Sequence, residues 1–105
     1  DRLRSRGLGD VYKRQGLAMR AGKLVTGEEL TIADIRRNKA KIVFVANDAS
    51  ENTKKKIKDK SSYYEVPCFE LFSEAEITQM IGRPRKVFGI LDNGFAKKTK
   101  ELIEG

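Results

Sequence analysis

Two short runs in this chain are apolar at every position rather than at alternate ones: Ile42 to Ala46 (IVFVA) and Val87 to Leu91 (VFGIL). A strand buried on one face alternates apolar and polar residues. A continuous β-rich run therefore reads as a strand covered on both faces, as in a sheet held between helices. Leu24-Val25 and the stretch Val66 to Phe69 read as weaker strands. Pro67 has no N–H to give a ladder, so the latter belongs at a sheet edge or a strand start.

Helix starts fall between these runs. Thr26 to Glu29 (TGEE) and Ser73 to Glu76 (SEAE) fit the capping box, in which the first side chain caps the helix and the fourth reaches back. Asp48 to Glu51 (DASE) is a close variant. Leu30, Ile32, Ala33 and Ile35 predict the apolar face of the first helix. The stretch Ser50 to Lys60 is almost wholly polar, so its helix is expected to face solvent with Ile57 as its anchor. Phe95, Thr99, Leu102 and Ile103 fall at helical spacing and predict an amphipathic last helix ending at Gly105. Strand and helix alternate, so the expected class is α/β: a three-layer α-β-α sandwich with a mixed, mostly buried four-stranded sheet.

At 105 residues the chain holds one hydrophobic core. Residues 1–15 (DRLRSRGLGDVYKRQ) show no periodicity and no cap, and resemble translated sequencing-adaptor read-through more than folded protein. We therefore expect a non-native leader at 1–15 and a single domain at 16–105. The whole chain has 22 basic and 15 acidic residues, a net +7. Setting aside the leader's five basic and two acidic residues leaves 17 against 13, a net +4. The remaining bias still points to a polyanion partner.

Chemistry narrows the function further. There is no histidine and one cysteine, Cys68. That rules out Ser-His-Asp and Cys-His catalysis and a Cys/His structural zinc site. Neither a P-loop nor a dinucleotide glycine pattern is present. Asp48 and Asp92 follow the two apolar strands, where open α/β sheets bind ligands, but Asn93-Gly94 reads as a turn. No stretch approaches the length of a membrane span, and no signal peptide is visible. The expectation is a cytoplasmic, monomeric binding protein with no cofactor and no catalysis.

Two features favour nucleic acid. At the junction Val25 to Glu29, a helix N-terminus offers unpaired N–H groups to phosphate. Gly27 would admit a close backbone, and Glu28 and Glu29 could accept from a guanine edge. As plain structure, Thr26 and Glu29 cap the helix and Gly27 eases the turn. Basic runs follow at Arg36-Arg37 with Lys39 and Lys41, at Lys54 to Lys56 with Lys58 and Lys60, and at Arg83, Arg85 and Lys86. These suit phosphate contacts or a solvated face. Phe72 and Tyr63-Tyr64 would stack on bases or pack in the core.

The segments Arg20 to Gly27 (RAGKLVTG) and Lys39 to Asp48 (KAKIVFVAND) resemble the large-subunit ribosomal protein superfamily that binds kink-turn RNA. With Gly16 to Lys23 (GLAMRAGK), Asp48 to Thr53 (DASENT) and Asp92 to Ala96 (DNGFA), the chain looks most like a bacterial, YlxQ-type branch. The resemblance implies a sandwich that recognises a sharp RNA bend, in ribosomal RNA or elsewhere, through two regions. One is the helix starting at Gly27, which matches the family glycine; Lys23, Glu28, Glu29, Thr31 and Arg37 are the candidate RNA contacts around it in this chain. The other is the loop Leu71 to Ala75, with Phe72, Ser73 and Glu74, followed by Ile77 and Gly82 of its helix; Asp48 matches the acidic position ending the second strand, and Lys54 is a further candidate RNA contact. Strong kink-turn binders carry Asn-Glu and then Lys where this chain has Glu29, Leu30 and Ala33. That guanine-reading pair is missing here or replaced by Glu28 and Glu29 in a shifted arrangement. The leading expectation is an RNA-binding accessory or ribosomal protein. The alternative is a protein-interaction adaptor presenting an apolar patch at Phe69, Leu71 and Phe72. An enzyme, as a detached substrate-binding piece of an RNA methyltransferase, is the third.

Overall fold

The structure, a computed structural model, describes residues 22–104. The expected leader, residues 16–21 and the helix end at Gly105 lie outside the described residues. Among the described residues four strands and four helices alternate: β1 (Leu24–Thr26), α1 (Glu28–Arg36), β2 (Ile42–Val45), α2 (Glu51–Tyr63), β3 (Cys68–Phe69), α3 (Glu74–Ile81), β4 (Val87–Ile90) and α4 (Asn93–Glu104). They form one mixed sheet in the order β1-β4-β2-β3. β4 runs antiparallel to both β1 and β2, and β3 runs parallel to β2. The strand containing Pro67 at its entry is an edge strand, as proline requires.

Both apolar runs became the central strands. Every residue of β2 and β4 is buried. Successive side chains point to opposite faces, so full burial means that both faces are covered. Thr31 of α1 lies against one face, its methyl 3.5 Å from where a Cβ on Gly89 would stand. On the opposite face Ile42 shares a cleft with Ala96 and Lys97 of α4. The Phe44 ring stacks on Phe88 at 4.8 Å between centroids and meets Phe69 and Phe72 at 5.8 and 5.7 Å. Such aromatic pairs each add about 0.5–1.5 kcal/mol beyond their burial.

Several local readings are corrected. Thr26 belongs to β1 and caps nothing; Gly27 is the N-cap of α1, with no side-chain hydrogen bond to its N–H groups. The TGEE box fails because the strand keeps Thr26 in the ladder opposite Phe88. In DASE the cap is Ser50, whose hydroxyl accepts from the Thr53 N–H, and not Asp48. Leu30 is 65% exposed, while Thr31 and Ile35 form the buried stripe of α1. At 100° per residue Leu30 and Ile35 stand about 140° apart, so one helix face cannot hold both. Other readings are borne out. The Ser73–Glu76 capping box forms in both directions. Ile57 is fully buried on the otherwise polar α2, helped only by Ser61.

Candidate nucleic-acid interface

Strand directions decide where the loops go. Since β4 opposes β1 and β2, and β3 follows β2, strands β1, β2 and β3 all point the same way. Each is followed by a helix, so α1, α2 and α3 all begin at one edge of the sheet. The loop leading into β4 lies there too, because β4 starts where the others end. Backbone bonds lock this edge. The Gly27 N–H donates to the Val87 carbonyl at 2.9 Å, the Ala46 N–H to Lys86 at 2.7 Å, and the Asn47 N–H to Phe72 at 2.8 Å.

A shallow cleft of about 300 Å³ opens at this edge, lined by Gly27 and Glu28 from the start of α1, Thr53 from α2, Glu74 from α3 and Pro84 to Val87 before β4. Gly27 adopts φ +94°, a conformation that side-chain-bearing residues rarely take. The Arg85 side chain lies over it, with Nε 3.9 Å from the position a Cβ would occupy. The three helix starts differ. Ser50 and Ser73 cap α2 and α3, and the Asp48 carboxylate takes the Glu74 N–H at 2.9 Å. The first turn of α1 has no side-chain cap and keeps its donors and partial positive charge open to the cleft.

Charge at this edge is mixed. Glu28 pairs with Lys56 at 3.3 Å. Among the described residues Arg85 and Lys86 have no carboxylate partner; the Arg85 guanidinium donates to the Pro84 carbonyl at 2.9 Å. The cleft thus combines open amides and two cations, which suit phosphate, with two carboxylates, which can accept from base N–H groups.

The other anticipated residues scatter. Glu29 is exposed one residue beyond the cleft, and Ser73 and Ala75 flank Glu74. Thr31 is fully buried and its hydroxyl finds no partner, so it presents nothing to a ligand. Phe72 is fully buried against Phe44 and does not offer a ring to a base. Lys54 is drawn into pairs with Glu51 at 3.8 Å and Glu70 at 3.5 Å. Lys23 and Arg37 lie at the opposite end of the sheet, paired with Asp92 at 3.7 Å and Asp34 at 3.8 Å. The structure thus gathers Gly27, Glu28 and Glu74 with Asp48 at the edge, and removes Thr31, Phe72, Lys23 and Arg37 from it.

Arg85 and Lys86 were the contributors that site-by-site reading missed. The basic run was visible, but nothing local says that it faces Gly27. The patch expected for an adaptor is not on the surface: Phe72 is buried, and Phe69 and Leu71 are half-buried against the core. Cys68 is half-buried in β3, and that burial pushes its thiol above the ordinary range, away from reactivity. Among the described residues no cluster of potential metal ligands forms, and no helix is long and apolar enough to cross a membrane.

Comparison with known proteins adds an independent line. The sequence model of the ribosomal protein L7Ae/L30e/S12e/Gadd45 family matches residues 9–100. The chain is 93% identical over 90 residues to RNA-binding protein YlxQ of Enterococcus faecium, covering 86% of this chain and 87% of that one. It is 46% identical over 90 residues to RNA-binding protein YlxQ of Bacillus subtilis strain 168, covering 85% and 90%. Among solved structures, a protein from Bacillus halodurans C superposes with a TM-score of 0.86 at 33% identity, over 90% of this chain and 97% of that one.

Proposed function

Because the chain belongs to the ribosomal protein L7Ae/L30e/S12e/Gadd45 family, we propose that it is a cytoplasmic RNA-binding protein that grips structured RNA at the edge where α1, α2 and α3 begin, without catalysis. The observation that carries this reading is the uncapped start of α1 beside Arg85 and Lys86. Donors left open at a helix N-terminus, faced by unpaired cations, form a phosphate site. Glu28 and Glu74 on the same cleft give it a means of choosing among bases. The relatives named as RNA-binding proteins support the same partner class.

A kink-turn is the finer target, in ribosomal RNA or another structured RNA. A bent RNA brings backbone and exposed base edges together, matching a cleft that mixes cations with carboxylates. The binding unit is a monomer, and a single α-β-α domain from residue 16 onward suffices for it.

The test is a gel-shift titration against a kink-turn RNA and a straight duplex of equal length, at two salt concentrations. We expect at least tenfold preference for the kinked RNA, about 1.4 kcal/mol, with weaker binding to both at high salt. Arg85→Gln with Lys86→Gln should lower affinity for both RNAs and flatten the salt dependence. Salt-independent binding, or none, would sink the RNA reading. Equal binding to both RNAs would sink only the kink-turn.

A further inference from the structure

We propose that the far end of the sheet carries a second RNA contact, one that holds phosphate backbone without reading sequence, so that the protein bridges two segments of one RNA. The inference rests on the RNA-binding reading of the first edge.

A second open cleft, about 310 Å³, lies where β2 and β3 begin and β4 ends. Lys41, Lys97 and Lys100 stand around it, over a floor of Ile42, Pro67 and Ala96. Among the described residues no carboxylate lines it. Among the described residues none of these three lysines is ion-paired; Lys41 Nζ donates to the Asn38 carbonyl at 3.1 Å. Lys97 and Lys100 are exposed and one turn apart on α4. Two other cations of this end are paired, Lys23 with Asp92 and Arg37 with Asp34. The three lysines are therefore a local excess of charge, not part of a balanced surface.

The start of α4 is not the source of attraction. The Asp92 carboxylate takes the Phe95 N–H at 2.9 Å and its carbonyl takes the Ala96 N–H at 2.9 Å. Ammonium groups alone do the work, and they are mobile point charges that fit phosphates in many arrangements. The two ends thus differ in kind. The first cleft sets Arg85 and Lys86 against Glu28 and Glu74, and carboxylates repel phosphate while accepting from bases. The second is purely cationic, and phosphate contacts fix position and affinity while carrying no sequence information. The two clefts open at opposite ends of the β2–β4 ladder, Val87 lining the first and Ile42 the second, so an RNA seated only in the first does not lie in the second.

The test uses the full chain with two RNAs: a minimal bent stem, and the same stem extended by a single-stranded arm. Fluorescence anisotropy is read across a salt series for the wild type, for Lys41→Gln/Lys97→Gln/Lys100→Gln, for the matching triple Lys→Arg variant, and for Arg85→Gln/Lys86→Gln. The wild type should bind the extended RNA more tightly than the minimal one. The triple Gln variant should lose that gain, with a salt slope smaller by about 2, since each single-strand phosphate contributes about 0.7. Its affinity for the minimal RNA should not change, and the triple Arg variant should behave as wild type. If the triple Gln variant binds the extended RNA as well as the wild type, the second contact is overturned. It is equally overturned if a polyglutamate peptide protects the three lysines from acetylation and the RNA arm does not, because the cleft would then be a protein site. An unaffected Arg85→Gln/Lys86→Gln variant would overturn only the first edge, and a wild type that binds neither RNA would overturn both.

Discussion

The Asp48 carboxylate accepts the Glu74 N–H at 2.9 Å, a bond between residues 26 apart that fastens the end of β2 to the first turn of α3. The same turn carries its own capping box: the Glu76 N–H donates to Ser73 Oγ at 3.2 Å, and the Ser73 N–H to the Glu76 carboxylate at 2.9 Å. The two devices satisfy different donors of one helix start. Asp48→Ala should lower stability by about 1 kcal/mol, the usual cost of losing a cap. Urea unfolding would measure it. No change would mean that the bond ties no structure.

Gly27→Ala tests the backbone rather than the space around it. A Cβ there would meet nothing nearer than Arg85 Nε at 3.9 Å, but φ is +94° with ψ 151°. Holding an alanine in that region costs about 1–3 kcal/mol. The expected result is a lower melting temperature together with weaker RNA binding, since relief of strain would turn the start of α1 away from Arg85. A variant as stable as wild type would show that the turn relaxes freely.

Thr31→Val should stabilise the protein. The Thr31 hydroxyl is buried under the sheet with no partner, and an unsatisfied buried polar group costs about 1–3 kcal/mol. Valine keeps the shape and drops the hydroxyl. RNA affinity should be unchanged, because the side chain does not reach the cleft. Lost affinity in a stable Thr31→Val protein would restore Thr31 as a contact.

Phe72 separates core from ligand surface. Truncation to alanine should cost about 3–5 kcal/mol, as for other buried rings, and leave little folded protein. Phe72→Leu keeps most of the volume, so it should fold with a modest loss and bind RNA normally. If the leucine variant melts near wild type yet loses RNA, the ring stacks on a base after all.

Lys58 and Glu70 form an ion pair on the α2 side of β3. The ammonium holds the Glu70 carboxyl below its usual 4.5, and the carboxylate holds Lys58 above its usual 10.5. A depressed carboxylate stabilises above the ordinary value, and the effect fades as pH falls from about 4.5 through the lowered folded value. For Lys58 the stabilisation is complete below about 10.5 and fades as pH rises through the raised folded value. Glu70→Gln should therefore lower the melting temperature by at most a few degrees near neutral pH, because Lys58 is exposed and Glu70 only half-buried, so that solvent screens the pair. The difference from wild type should vanish in acid. A gap that persists at pH 2 would mean that packing, not charge, sets it.

Much of the fold was legible in the chain because it depends on local or one-dimensional preferences. All-apolar runs at 42–46 and 87–91 demanded cover on both faces and became β2 and β4. Pro67 forced an edge, Ser73 with Glu76 forced a helix start, and Ile57 alone anchored a polar helix. Local pattern misled where a neighbour competed for the same group. The ladder held Thr26 in β1, the Ser50 hydroxyl rather than Asp48 capped α2, and the helical period threw Leu30 outward. What no local pattern contained was the strand order β1-β4-β2-β3 and the shared direction of β1, β2 and β3. Those follow from hydrogen bonds between segments far apart in sequence, and they alone decide which loops meet. Only through them does Arg85 lie over Gly27 and does Phe72 enter the core rather than face a ligand, whereas Lys23 and Arg37 stand at the other end because β1 and α1 themselves separate them from Gly27.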